Sequence, residues 1–307
     1  MSDTVTEHLG WLGTGRMGTV LAGRLVDTGA KVSVWNRTAS KVQPLVDRGA
    51  TAVDSITDLG HCGVVFVMVS TPDDLRAVTT GPGGLLTGDA LPRIVVECST
   101  VSGTVSSEIR RAAEDLGVAF LAAPISGNPH VVEAGQACFV VSGSEHTFTE
   151  VLPYFELLGK RAVLVGDAEQ SRLVKLCHNL YLGMMVQALV EVTSLAEKGG
   201  TSRAAFLDFL NSTVLSSEWV QRRSKDLIEL DWTPTFTTEL LRKDFDLALQ
   251  AARALEVPMP VSSTVHHLIQ VAIGHGLRNQ DFLSLYEVQS AGAGLDHSTE
   301  TNATEPE

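Results

Sequence analysis

The sequence predicts an α/β domain built on a parallel sheet, followed by an all-helical domain that a long interdomain helix joins to it. Three observations carry this. Short apolar runs rich in β-branched residues alternate with helical stretches through the first half: "HLGWLG", "KVSVWN", "GVVFVMVS", "RIVVECS", "VAFLAAPIS", "ACFVVSG" and "RAVLVG". Strands that are apolar throughout, rather than at every second position, belong in a sheet covered on both faces. After Gly166 the strand signals stop, and no proline interrupts a helical reading from Asp167 to Lys198. The boundaries that follow are 1–166 for the α/β domain and 167–292 for the helical one, with 167–198 as the interdomain helix.

In chain order, the first strand runs into a small-residue helix from Arg16 to Asp27, and the second strand into a helix around Ala39 to Arg48. The remaining strands follow to Gly166. Helical stretches then continue to about Ala291, broken at Pro234, Pro258 and Pro260. Residues 293–307, ending "GLDHSTETNATEPE", lack a periodic apolar face and are expected to form a disordered tail. A length of 307 residues suffices for two ordinary domains.

Composition narrows the class. Hydrophobic content of 44% and charged content of 19% describe a soluble globular protein, and a net charge of −13 disfavours nucleic acid or an anionic membrane surface as main partner. No apolar run approaches membrane-spanning length. The polar start "MSDTVTEH" lacks a secretory pattern. Cys62, Cys98, Cys138 and Cys177 form no CxxC pair, which predicts buried free thiols in a reducing cytoplasm. Neither HExxH nor a Cys/His cluster occurs, and His266 and His267 are adjacent and point apart on a helix, so no metal is expected.

The stretch "GWLGTGRMGTVLAGRL" contains Gly13-x-Gly15-x-x-Gly18 between a strand and a helix, with a second strand ending about twenty residues later. In a dinucleotide site Gly13 permits the tight turn, Gly15 lets the backbone approach a pyrophosphate, and Gly18 lets helix and sheet pack closely. The loop residues Thr14, Arg16 and Met17 then border the phosphates, which the N–H groups of the helix start receive. A plain glycine turn is the alternative. The second strand ends "VWNRTASK", without the carboxylate that would accept bonds from the adenosine ribose. Arg37 is donor-only and suits a ribose 2′-phosphate, with Asn36, Thr38 and Lys41 adding donors. A solvated basic helix start is the structural alternative. NADP(H), with no metal, is the expected cofactor.

These motifs together resemble the β-hydroxyacid dehydrogenases, typified by 3-hydroxyisobutyrate dehydrogenase, within the 6-phosphogluconate dehydrogenase superfamily. The resemblance extends over nearly the whole chain. "GWLGTGRMG" is similar to the family's opening fingerprint, "ECSTVSGTVS" to its Ser-Thr turn, "AAPISGNP" to its substrate loop, "RLVKLCHN" to its catalytic helix and "LLRKDFDLAL" to its Lys-Asp motif. The family implies a Rossmann domain, a helical domain, and dimers or tetramers. It implies Ser99 and Thr100 near the nicotinamide, and Ser126 and Gly127 as donors to a substrate carboxylate. Lys243 would lie beside the cofactor, with Asp244 holding that motif.

Lys175 makes chemical sense in this setting. Hydride addition to a carbonyl leaves an alkoxide that needs a proton, and alcohol oxidation needs that proton removed. A lysine serves both directions if its surroundings lower its pKa from about 10.4 toward neutrality. Asn179 lies four residues on and shares its helix face, to orient Lys175 or hold the substrate; Ser171 and Asp167 extend that stripe. The structural alternative is a helix with a solvent-facing lysine. Phe236 and Trp219 are aromatic candidates for walling the site, with a core role favoured for each.

The chain departs from the family pattern twice. Asn128-Pro129 stands where a second glycine is usual; a residue before proline is pushed toward extended geometry, and Asn128 brings a donor and an acceptor to the pocket. Glu169 and Ser171 stand where glycines are common before the catalytic helix, which suggests an earlier start capped by Asp167, with Glu169 or Arg172 bordering the substrate. The expected activity is NADPH-dependent hydride transfer to a semialdehyde, keto acid or aldehyde, or in reverse oxidation of a β-hydroxyacid. An imine reductase of the same architecture is a second reading. A catalytically silent NADPH-binding interaction module is a third, of another class.

Overall fold

The computed structural model describes residues 7–295. The expectation of a disordered tail falls outside the described residues from position 296 onward. The chain forms two compact units, the boundary lying between Lys175 and Leu176.

The first unit holds a nine-stranded sheet in the order β3-β2-β1-β4-β5-β6-β8-β7, with β9 paired to β8. The strands are β1 (Leu9–Leu12), β2 (Val32–Trp35), β3 (Thr51–Ala52), β4 (Val64–Val67), β5 (Ile94–Glu97), β6 (Ala119–Ala122), β7 (Ile125–Ser126), β8 (Cys138–Ser142) and β9 (Arg161–Gly166). Strands β3-β2-β1-β4-β5-β6 run parallel. The sheet is not parallel throughout, as the uniformly apolar strands suggest: β8 lies antiparallel to β6 and β7. The run "VAFLAAPIS" also splits into two strands, because Pro124 has no N–H to continue the ladder and only its carbonyl is used, accepting from Val140 N.

Why the strands read as continuous apolar runs is visible in their packing. Val64 and Phe66 of β4 belong to one core, with Trp11, Leu21 and Phe155, while Val65 and Val67 belong to another, with Leu12, Leu75 and Ile109. Successive strand residues face opposite sides of the sheet, so helices on both faces demand apolar residues at every position. Trp11 stacks on Phe66 with ring centroids 5.4 Å apart.

The long helix spans Gln170–Lys198. It begins two residues later than a cap at Asp167 implied. Asp167 instead accepts from Gln170 Nε2 at 3.3 Å, and Gln170 Oε1 accepts from Ala168 N at 2.8 Å, so the side chain of Gln170 folds back over the turn. This helix is long and apolar enough to cross a membrane by length and composition, contrary to the reading that no run approaches that length; half of its most apolar window is buried within the protein.

In the second unit, helices Arg203–Asn211, Glu218–Glu229, Thr238–Ala254, Pro260–Gly274 and Leu285–Gly292 follow. Ser202, Ser217 and Thr237 each cap the helix they precede by accepting the backbone N–H three residues on. Pro260 opens its helix at the position where a missing N–H costs nothing. Trp219 and Phe236 lie in this core, each packed against Phe282. Cys62 and Cys98 are buried, Cys138 is half-buried, and Cys177 is exposed, which corrects the expectation of four buried thiols; all four are free. Burial pushes the Cys62 thiol up to about 11.

Candidate functional site

The glycine loop has the geometry its spacing implied. Gly13 has φ +100°, and a Cβ there would meet the Met68 carbonyl oxygen at 2.1 Å. A Cβ on Gly18 would meet the Gly13 carbonyl oxygen at 2.0 Å, which is the close approach of helix to strand. At Gly15 a Cβ meets nothing within 4 Å. Gly15 is the N-cap of helix Arg16–Asp27 and offers no side chain to its N–H groups, and no acid sits in the first turn. Uncapped donors facing open space at a helix start suit a pyrophosphate, so the residues present fit the dinucleotide. Arg16 is exposed at this end, while Met17 packs partly into the core.

Asn36 ties the loop to the end of β2. Its Oδ1 accepts from Thr14 N at 3.0 Å and its Nδ2 donates to the Thr38 carbonyl at 3.0 Å; Thr14 Oγ1 donates to the Lys41 carbonyl at 3.2 Å. The amide of Asn36 is thus a strut of the loop, where the sequence suggested a phosphate donor. Arg37, Thr38 and Lys41 are exposed beside it. Arg37 pairs with Asp74 at 2.6 Å, its side chain 80% exposed. Asp74 sits below the usual carboxylate range, held there first by the Thr71 hydroxyl and then by Arg37. So exposed a pair contributes little, and a phosphate reaching the guanidinium gains a charge-assisted bond of about 1.5–3 kcal/mol. Arg37→Ala is therefore expected to reduce the preference for NADPH over NADH by about 10- to 100-fold, read from the two dissociation constants; an unchanged ratio would remove Arg37 as the determinant.

Ser99 is buried, its Oγ accepting from Val69 N at 2.9 Å, and Thr100 follows it half-buried. Lys175 is 8% exposed in the second turn of the long helix, against the alternative of a solvent-facing lysine. The neighbouring charges, expected to border the substrate, are tied to other groups of the protein. Arg172 is 2% exposed and paired with the buried Glu97. Glu169 accepts from Arg110 Nε at 2.7 Å, and Ser171 Oγ lies 2.7 Å from Ser142 Oγ and donates to the Ala122 carbonyl at 3.0 Å. The side chains of Glu169 and Ser171 are fasteners of the helix start.

Ser126 ends β7, and Gly127 follows with φ +143°. Asn128 is extended, as its place before proline required, but its Oδ1 accepts from Val131 N at 3.0 Å as the cap of helix Pro129–Glu133. The acceptor that the sequence assigned to the pocket is spent on the backbone, leaving Nδ2. Asn128→Asp keeps the cap, whereas Asn128→Ala is expected to cost about 1 kcal/mol of stability; equal melting temperatures for the two variants would refute the cap.

In the second unit, Asn179 is 3% exposed. Its Nδ2 donates to Asp244 Oδ2 at 2.5 Å and its Oδ1 lies 2.8 Å from His178 Nδ1. Lys243 Nζ stands 3.6 Å from Asp244 Oδ1. The Lys-Asp motif and Asn179 therefore form one cluster, linked by a carboxylate whose partner the sequence did not reveal. His266 pairs with Asp246 at 2.7 Å, and no group of metal-ligating side chains occurs among the described residues.

Known proteins share both halves of this arrangement. Residues 8–166 match the family described as the NAD binding domain of 6-phosphogluconate dehydrogenase, and residues 170–289 match NAD-binding of NADP-dependent 3-hydroxyisobutyrate dehydrogenase. Glyoxylate/succinic semialdehyde reductase 1 of Arabidopsis thaliana is 31% identical over 281 residues, covering 91% of this chain and 97% of the relative. The chloroplastic reductase 2 of that plant is 29% identical over 287 residues, covering 93% of this chain and 80% of the relative. A solved Mycobacterium tuberculosis 3-hydroxyisobutyrate dehydrogenase with L-serine superposes with a TM-score of 0.82 at 24% identity, over 92% of this chain and 99% of that one. An Aspergillus terreus imine reductase with NADPH4 gives a TM-score of 0.60 at 23% identity, over 93% of this chain and 100% of that one. The two structural likenesses speak for the fold; the family matches and the relatives spanned nearly end to end speak for descent, and the chain belongs to the β-hydroxyacid dehydrogenase family of NADP-dependent oxidoreductases.

Proposed function

We propose that the chain reduces a small carbonyl compound carrying a carboxylate, a semialdehyde or keto acid, and that Lys175 exchanges the proton at the carbonyl oxygen. NADPH, when bound, supplies the hydride to the carbonyl carbon. Lys175 gives a proton to the oxygen as it gains charge, and in the reverse direction takes it from the hydroxyl of a β-hydroxyacid. The observation that carries this is the burial of Lys175 four residues before an Asn179 that Asp244 holds in place. Ser126 and Gly127 receive the carboxylate, and Ser99, Thr100 and Lys243 serve the nicotinamide end. The relatives named as glyoxylate and succinic semialdehyde reductases support that substrate class.

The imine-reductase reading has a structural neighbour in its favour, at a TM-score of 0.60 against 0.82 for the hydroxyisobutyrate enzyme. Consumption of NADPH by purified protein on a panel of semialdehydes, keto acids, aldehydes and imines separates the readings. Turnover on a carboxylate-bearing carbonyl supports the proposal, and turnover confined to imines overturns it. Tight NADPH binding with no turnover on any compound points to the silent binding module.

We further propose a homodimer or homotetramer in the cytoplasm. Tyr181, Leu195, Phe209 and Val214 are exposed on the helical unit at 63%, 74%, 68% and 100%, and all four cysteines are free thiols. Light scattering that returns the 32.8 kDa monomer mass would overturn the oligomer.

A further inference from the structure

We infer that the buried Glu97–Arg172 ion pair is a positioning device that sets the Ser99–Thr100 turn against the helix carrying Lys175. Glu97 closes β5 with no exposed surface, and Arg172 is 2% exposed in the first turn of the long helix. Between them they take both backbone groups of Ser99. Ser99 N–H donates to Glu97 Oε1 at 2.7 Å, and the Ser99 carbonyl accepts from Arg172 Nη1 at 2.6 Å. The two charges meet through Arg172 Nη2 and Glu97 Oε2, and Arg172 Nε donates to Ser106 Oγ at 3.0 Å in the helix that follows the turn. Its Oγ also accepts from Val69 N, so the N–H, carbonyl and hydroxyl oxygen of Ser99 all have partners. Arg172 lies three residues before Lys175, on the adjoining stretch of the same helix face.

Stability alone accounts poorly for two charges at this depth. Desolvation consumes most of what a buried pair gains, and apolar replacements are often as stable or more so. The helix start is also fastened without this pair: Ser171 reaches the Ala122 carbonyl and Ser142, while Arg110 reaches Glu169 and the Ala168 carbonyl. What the pair adds is direction. A guanidinium fork and a carboxylate have fixed geometry, so together they set one residue of the turn relative to one turn of the helix. Hydride transfer depends on donor and acceptor carbons held in near-contact, and a misplacement of about 1 Å costs on the order of 100-fold in rate.

This inference rests on the proposed roles of Ser99, Thr100 and Lys175. The test is Glu97→Gln combined with Arg172→Gln, which removes both charges and leaves neither unpaired, compared with the parent protein. Two readouts are taken: the fluorescence of the bound nicotinamide in NADPH, and kcat, KM and the isotope effect with NADPH deuterated at the transferred position. The expected result is NADPH binding retained, nicotinamide emission altered, kcat down by about 100-fold with little change in KM, and a larger isotope effect as hydride transfer becomes limiting. Arg172→Lys keeps the charge balance but loses the fork; it recovers part of the loss, and it is read in place of the double variant should that one not fold. Unaltered emission and unaltered kcat, with only the melting temperature lowered, would overturn the inference and leave a structural bracket. If the parent turns over no carbonyl compound, the functional proposal fails, and the emission alone decides the positioning role.

Discussion

Lys175→Met is expected to lower kcat for carbonyl reduction by about 10²- to 10⁴-fold, the range that general acid–base catalysis supplies, while NADPH binds as before. Lys175 is 8% exposed, so its ammonium is not a solvated surface charge that a methionine replaces without consequence. It also belongs to neither the phosphate loop at Gly13 to Gly18 nor the stretch around Arg37, the parts expected to carry most of the cofactor affinity. Methionine matches the apolar stem in volume and length, which keeps packing of the helix near Leu176 and limits the stability change. A collapse of kcat with unchanged NADPH affinity assigns the proton to Lys175. Equal loss of NADPH affinity would reassign it to cofactor binding, and unchanged kcat would sink the proton-transfer role. Asn179→Ala makes the companion case. It leaves Asp244 Oδ2 buried without its donor, and a smaller kcat effect accompanied by lost stability, about 1–3 kcal/mol, is the expected signature.

The sequence disclosed those parts of the molecule whose chemistry is local. Gly13, Gly15 and Gly18 each meet a different requirement within six residues, and the structure reproduces each one: a positive φ, an open approach and a backbone contact. The apolar strands were equally legible, because burial on both faces leaves no polar position to blur them. What stayed hidden depends on partners far along the chain. Glu97 and Arg172 are 75 positions apart, and nothing in "VVECST" or "QSRLVK" signals that one charge neutralises the other. The same holds for Asn179 and Asp244, 65 positions apart. The oxygen of Asn128 was misassigned for a different reason. Before Pro129 and three residues ahead of Val131 it was readable as a helix cap, and the expectation of a pocket residue overlooked this local use of its oxygen. Glu169 and Ser171 were singled out from the sequence, yet their partners Arg110, Ser142 and Ala122 come from other strands and helices that no spacing rule reaches.

Two methyl groups added three residues apart should separate folding from cofactor binding. Gly18→Ala places its Cβ 2.0 Å from the Gly13 carbonyl oxygen and 3.0 Å from Trp11 Nε1, which itself donates to that carbonyl at 2.9 Å. The obstacle is backbone, held by a ring stacked in the core, so helix Arg16–Asp27 must move off the sheet. A loss of about 3 kcal/mol or more is expected, the upper part of the range for overpacking, seen as a lower melting temperature of the protein without cofactor. Gly15→Ala is the opposite case. Its φ of −71° is ordinary for an L-residue and nothing lies within 4 Å of the added carbon, so the melting temperature should not change. The open space is where a pyrophosphate must come to meet the N–H groups of the helix start. A methyl there holds the phosphate oxygens away from bonds contributing about 1.5–3 kcal/mol each, and NADPH affinity is expected to fall about 10- to 100-fold for each bond lost. Calorimetric titration of the Gly15 variant decides the point: NADPH bound as tightly as by the parent would mean that the pyrophosphate does not lie on this loop, however well the glycine spacing suits it.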